Sequence, residues 1–199
     1  MPQQPVRKIE MRDLYRELAP MFGLEQRQVE YYARFLRQED LLGAGRPGHG
    51  GHTPHATPRA VAVFLLAVLG STSAVDGPKA VKKLEGLRRD AVKEVGKHAK
   101  TEIAPKSRFL EALTHVLEKM SASAADNPWR KQVMRVGARS GPSGGLVGLI
   151  EIGRGKDKRE HAYRSSQDDQ KQYGGLTKET WIGTAVLTKV ADLLATGSD

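Results

Sequence analysis

The chain has 199 residues, with 32 Lys plus Arg against 23 Asp plus Glu, six His and no Cys, which gives a net charge of +9 and a pI near 9.8. That length suits one or two small domains rather than a large α/β enzyme, and the lack of cysteine excludes disulfides, thiol nucleophiles and Cys-ligated zinc while fitting a reducing cytoplasm. The longest apolar run, Ala60 to Leu69, is about half of the roughly 20 residues a membrane span needs, and Met1 to Glu10 is too polar for a signal peptide, so a cytoplasmic protein with no membrane partner is expected.

Met11 to Phe22 places Met11, Leu14, Tyr15 and Leu18 on one face, the pattern of an amphipathic helix. Pro20 should end or bend it, and Gly23 supplies the residue most at ease in a tight turn. Glu25 to Gln38 reads as a second helix, with Val29, Tyr32 or Ala33, and Leu36 inward and Arg27, Gln28, Tyr31, Arg34 and Gln38 outward. Gly43 to Gly51 holds five glycines in nine residues and belongs to a loop that runs to Thr57 and carries Arg46, His49, His52 and His55. Thr57 and Pro58 look like an N-cap followed by proline at the first helical position. The helix Arg59 to Leu69 is apolar on nearly every side and should be a buried core element.

Ser71 to Pro78 reads as a linker, because Gly and Pro both oppose helix continuation. In the segment 79–125, Val81, Leu84, Leu87, Ala91 and Val95 recur at helical steps, as do Leu110, Leu113, Leu117 and Met120, which predicts two helices. This segment is the most basic: residues 71–131 carry a net +5, against +2 on either side. Lys79, Lys82, Lys83, Arg88, Arg89, Lys93, Lys97 and Lys100 form a long series in which Lys82, Arg89 and Lys93 fall near one helical face. Interleaved acids allow pairs such as Glu85 with Arg89. The strip is either a solvated face or a track for a phosphate backbone.

The last segment, 129–196, starts beyond Asp126, Asn127 and Pro128. Short β-like runs cover Lys131 to Val136, Leu146 to Ile152 and Glu160 to Arg164, with a mobile glycine-rich turn from Gly137 to Gly145. A terminal helix from Lys178 to Ala195 carries an apolar stripe that includes Trp181, Leu187, Val190 and Leu194. Two or three strands with one helix barely make a core, so this piece is expected to pack on the middle helices or on a second copy of itself. The fold class expected is α+β and mainly helical: residues 9–70 as a winged helix-turn-helix, a linker at 71–78, a basic helical segment over 79–125, and a small antiparallel sheet with a C-terminal helix over 129–196.

Two helices joined by a glycine-containing turn form a helix-turn-helix, whose second helix can enter the major groove. Arg, Gln and Tyr on that helix are side chains that hydrogen-bond base edges and phosphates. The stretch VEYYARFLRQEDLLGAGRPGHGGHTPHATPRAVAVFLLAV resembles the DNA-binding head of MerR and excisionase-like winged-helix proteins, and also that of prophage-type bacterial proteins with such a head before a small α/β tail. The resemblance covers about 60 residues. It implies that Arg27, Tyr31 and Arg34 face DNA while Arg46 and its neighbours reach phosphates. The wing departs from the family in its Gly and His content, and no effector-binding cysteine or long coiled coil follows, so metal sensing is not implied. The DNA-contacting set expected is Arg27, Gln28, Tyr31, Arg34, Gln38, Arg46, His49, His52 and Arg59.

Other patterns carry less. Gly43 to Gly48 matches G-x-G-x-x-G, but a helix precedes it and Pro47 interrupts it, where a dinucleotide site needs a preceding strand. Gly137 to Gly145 lacks the ending of a phosphate loop. His49, His52 and His55 have no carboxylate nearby and read as wing polarity rather than zinc ligands. His115 and His161 read as ordinary surface or packing residues. Asp168 and Asp169 are adjacent, and Ser165 and Ser166 have no paired base, so neither a catalytic site nor a cofactor is expected. The function that follows is a DNA-binding transcriptional regulator acting as a homodimer on double-stranded DNA. The alternatives are an excisionase-like recombination factor, a small DNA-packaging subunit, or an adaptor that holds a protein partner through the C-terminal part.

Overall fold

The computed structural model describes residues 9–42, 55–89, 103, 107–122, 127–140, 146–154, 158–165 and 178–195. Six helices and five strands appear among them: α1 (Met11–Leu18), α2 (Gln26–Gln38), α3 (Pro58–Gly70), α4 (Gly77–Glu85), β1 (Arg88–Arg89), α5 (Phe109–Ser121), β2 (Met134–Ser140), β3 (Leu146–Ile152), β4 (Arg159–Arg164), β5 (Lys178–Ile182) and α6 (Thr184–Ala195). The class is α+β, with all strand pairings antiparallel and the sheet ordered β1-β4-β3-β2-β5. No helix among the described residues is long and apolar enough to cross a membrane.

The N-terminal helices form where the apolar spacing places them. Met11, Leu14, Tyr15 and Leu18 of α1 are buried, a 3-10 turn over Ala19–Phe22 follows at Pro20, and Gly23 adopts φ 63° to reverse the chain. Val29, Tyr32, Ala33 and Leu36 of α2 are all buried, so Tyr32 and Ala33 share the inward face. Thr57 Oγ1 accepts the Ala60 amide at 3.1 Å and Pro58 opens α3, the cap-then-proline order that reduces the unmet donors of a helix start.

α3 is buried around its circumference from Val61 to Ala67, and packs against α4, α5, β2 and β5. Its Phe64 ring meets Tyr15 at 4.7 Å, Phe22 at 6.2 Å and Tyr32 at 6.3 Å between centroids. The same helix therefore carries α1 and α2 on one side and the sheet on another, and one continuous apolar cluster runs from Met11 to Leu194.

Residues 71–78, which read as a linker, hold a 3-10 turn (Ala74–Asp76) and the first two residues of α4, with Gly77 and Pro78 buried. Proline in the first helical turn starts this helix instead of separating two units. The first of the two helices expected over 79–125, with Val81, Leu84, Leu87, Ala91 and Val95 on one stripe, is corrected by the structure: α4 ends at Glu85, Gly86 follows, and Arg88–Arg89 pairs with Tyr163 and Arg164 as an edge strand. Strand pairing and the interior partners of Arg89, described below, win over the helical spacing. Residues 90–102 lie outside the described set, and with them Lys93, Lys97 and Lys100.

The sheet is also larger than two or three strands. β2 begins at Met134, not Lys131, and continues through Gly137 to Ser140, so the first part of the expected glycine turn is strand, paired along its length with β3. The expected helix from Lys178 is a second correction. Lys178–Ile182 forms β5 beside β2, and α6 begins at Thr184 after Gly183. Thr180, Trp181 and Ile182 are strand-favouring types, and alternation sends Ile182 into the core and Trp181 to the outer face. Thr184 then ties α6 to β2, its hydroxyl accepting the Met134 amide at 2.8 Å and donating to the Met134 carbonyl at 2.9 Å.

Two glycines let aromatic rings lie on the sheet. A Cβ at Gly148 would sit 2.5 Å from the fully buried ring of Phe109, and one at Gly137 would sit 2.5 Å from the half-buried ring of Trp181. Phe109 has no room to retreat, whereas Trp181 can swing toward solvent. Gly148→Ala should therefore lower unfolding free energy by about 1–3 kcal/mol in urea titrations, as overpacking does. Gly137→Ala should cost less, and Gly86→Ala, with no neighbour closer than 3.9 Å, should be near neutral. Equal losses at Gly137 and Gly148 would contradict this packing.

Candidate nucleic-acid interface

The outward face of α2 is exposed along its length. Arg27, Gln28, Tyr31, Arg34 and Gln38 are all accessible, and Tyr31 retains 45% of its surface although it is aromatic. The opposite stripe anchors the helix: Tyr32 lies edge-on to Phe64, and its hydroxyl is 3.2 Å from Ser71 Oγ. The rod is thus held on one side and presents guanidinium, amide and phenol groups on the other.

Gln28 is only partly free. Its Oε1 accepts the Glu25 amide at 2.9 Å, closing the first turn of α2, so its acceptor is engaged locally. Arg59 is exposed in the first turn of α3, on a separate element. Nearby, the Glu10–His55 bridge and the bond from the Ala56 amide to the Ile9 carbonyl, 2.9 Å, fasten the approach to α3 onto the start of α1. Arg46, His49 and His52 lie outside the described residues. Among the described residues no three metal-ligating side chains gather.

The basic strip divides. Lys79, Lys82 and Lys83 stay exposed on α4, and Lys82 Nζ bonds Glu39 Oε2 at 2.7 Å, just past the end of α2. That hydrogen bond and the ammonium charge hold Glu39 below the usual carboxylate range. The α4 lysines are thereby placed beside the C-terminal end of α2. Arg89 leaves the strip altogether: it turns inward, where Nη1 donates to the Ile103 carbonyl and Nη2 to His161 Nδ1, each at 2.6 Å. The expected Glu85–Arg89 helical pair is replaced by these bonds.

His161 is consequently no ordinary packing residue. Guanidinium only donates, so Nδ1 must accept and the imidazole is neutral. Burial first, then the charges of Arg89 and Arg159, push its pKa down from 6.5 to about 4. Burial likewise raises the phenol of Tyr163, opposed by a hydrogen bond with Ser107 and by Arg89. Isolated in the sequence, Arg89 and His161 gave no spacing signal, because the strand pairing that joins them spans 72 residues.

A second feature missed from the sequence is a cavity of about 260 Å³ between α1 and α2, lined in part by Arg12, Arg16, Arg37 and Tyr15. Tyr15 is 5% exposed, and its hydroxyl has no hydrogen-bond partner among the described residues. Burial raises its pKa strongly, with the charge of Arg37 pulling the other way. The arginine spacing Arg12–Arg16 on α1 is its only trace in the sequence.

No known protein family, characterised protein or solved structure matches the chain. The reading of α2 rests on its own geometry and chemistry.

The state of His161 carries a measurable consequence. Its folded pKa lies below the unfolded value, so the unfolded chain takes up the extra proton, and stability falls as pH drops from 6.5 toward 4. The slope from this group is at most about 1.4 kcal/mol per pH unit. His161→Gln preserves an acceptor for Arg89 and removes the titration. The stability gap between wild type and this variant should shrink on acidification across that range. An imidazole of His161 that titrates near 6.5 by NMR would refute the buried arrangement.

Proposed function

We propose that the protein binds double-stranded DNA through α2 in the major groove and acts as a homodimeric transcriptional regulator with no catalytic role. The observation that carries this reading is the stripe Arg27, Tyr31, Arg34 and Gln38, left open to solvent on a helix whose other side is locked into the core. Arginine matches guanine O6 and N7, and glutamine matches adenine, each good bidentate pair being worth about 1–3 kcal/mol of discrimination. The free amide of Gln28 joins them from the first turn. Arg46, His49, His52 and Arg59 are assigned to the flanking backbone, in the manner of the winged-helix heads that this segment resembles.

The placement of α4 adds a feature that helix-turn-helix spacing alone does not supply. Lys79 and Lys83 share an exposed face with Lys82, whose bond to Glu39 fixes that face next to α2. Cations there suit the phosphates that border a groove, and would raise affinity without choosing sequence. A two-fold dimer then sets two copies of α2 against two half-sites.

A protein-binding reading is favoured by one observation: Tyr31 and Val75, 45% and 60% exposed, edge a groove that also takes in Leu24, Phe35 and Ala74. Large apolar groups left open in this way are common in protein contacts.

Gel retention of genomic fragments at two salt concentrations separates these readings. Selective retention supports the regulator, uniform loss with salt supports an architectural role, and no retention supports the adaptor. Arg34→Ala should lose selectivity by about 1–3 kcal/mol while keeping its unfolding midpoint, because the side chain is exposed. Lys83→Ala should weaken all fragments alike and lower the salt slope by about one. Unchanged binding by Arg34→Ala would defeat the α2 assignment, and a light-scattering mass of one chain at micromolar concentration would defeat the dimer.

A further inference from the structure

We infer that the cavity between α1 and α2 binds a small organic acid, a carboxylate on an aromatic or branched apolar body. The cavity is small, about 260 Å³, just below the range of ordinary ligand pockets, so its occupant is metabolite-sized. Three arginines contribute to its lining, Arg12 and Arg16 on α1 and Arg37 on α2, against the single acid Glu30 among the described lining residues. Glu30 is also engaged, since its Oε1 accepts from Gln26 Nε2 at 3.1 Å.

The arginines keep capacity for an anion. Arg12 approaches Glu10 and Asp13 only at 3.7 and 3.8 Å, and Arg16 approaches Asp13 at 3.8 Å, distances too long for hydrogen bonds. Arg37 directs Nε to the Ala33 carbonyl at 3.1 Å, which leaves the two-nitrogen end of the fork for a carboxylate. Between these charges lie Met11, Ala33, Leu42 and the ring of Tyr15, the apolar complement of such a ligand's body. The Tyr15 hydroxyl is itself cut off from solvent, so it is the tyrosine ring that borders the cavity.

The consequence for regulation rests on the proposed function. Arg37 and Ala33 of the cavity alternate along α2 with Arg34 and Gln38 of the outward face, so a ligand that bridges α1 to α2 bears directly on the helix assigned to DNA.

The test uses the full chain without DNA. Benzoate and phenylacetate at millimolar concentration should raise the thermal midpoint and give saturable heat by calorimetry, as ligand linkage requires, while benzylamine and sodium chloride at equal ionic strength should not. Arg37→Ala should lose affinity at least tenfold, as loss of one charged hydrogen-bond partner does. Tyr15→Phe should bind the acids like the wild type, since the ring that borders the cavity remains. Arg34→Ala should bind the acids like the wild type. Equal shifts by chloride and benzoate, no saturable heat with either acid, or undiminished binding by Arg37→Ala would overturn the site. Acid binding without DNA retention leaves the cavity standing and removes only the nucleic-acid reading, and DNA retention without acid binding does the reverse.

Discussion

A helix apolar on every side has to be surrounded, and α3 imposes this on everything else. Burying Val61, Val63, Phe64, Leu65, Leu66 and Leu69 stabilises by about 1.5–3 kcal/mol for each side chain, far more than the roughly 1 kcal/mol at stake in its Thr57 cap. Satisfying that demand takes α1 and α2 on the Phe64 side, α4 and α5 along the flanks, and β2 and β5 below. The N-terminal helices and the C-terminal sheet, far apart in sequence, therefore share one core. Lys189 of α6 reaching Glu17 of α1 at 3.0 Å, and Arg130 reaching Asp192 at 2.7 Å, are exposed additions to that arrangement, small beside the apolar burial.

Some polar groups inside this core have matching partners that close its edges. Asn127 is 5% exposed, donates to the Lys119 and Ala122 carbonyls, and accepts the Trp129 amide, thereby closing the end of α5 where helical carbonyls lack donors. Arg89 serves β1 in a comparable way. Its bonds to Ile103 and His161 fasten the two-residue edge strand, whose ladder alone is too short to hold it. On the outer side of the sheet, Arg135 lies 4.3 Å over the Trp181 ring, and the 9% exposed side chain of Glu151 takes Arg135 and Lys158 as counter-ions.

Local pattern carried much of this, and its failures share one cause. The faces of α1, α2 and α5 follow from apolar spacing because each helix is long enough for the 3.6-residue period to be counted, and the burial of α3 follows from its lack of a polar face. The segment from Lys79 and the one from Lys178 also show apolar residues at helical steps, yet Arg88–Arg89 and Lys178–Ile182 are strands. In both, a partner distant in sequence decides: Tyr163 for Arg89, and Gly137 for Trp181. Gly137 looked like turn punctuation, but its missing side chain is what allows Trp181 to lie flat on the sheet. The outward stripe of α2 was legible because exposure is the complement of the buried one. The cavity was not, since Arg12, Arg16 and Arg37 converge only after Gly23 folds one helix back on the other.

The same period divides α2 into three stripes with different tasks. Val29, Tyr32, Ala33 and Leu36 hold the helix in the core. Gln26, Glu30 and Arg37 border the cavity with α1, and Arg27, Tyr31, Arg34 and Gln38 face solvent. Because the core stripe fixes the rotation of the helix, the outward residues keep their relative positions, the preorganisation that the proposed groove recognition would use. Among the described residues the cavity stripe has no comparable filling: Gln26, Glu30 and Arg37 border space rather than a packed partner. An occupant there alters outward recognition only to the extent that it binds the two placements of α2 with different affinity, and the effect must be reciprocal. A helix clamped along one stripe and bordered by a cavity along the next has the geometry in which such a difference arises.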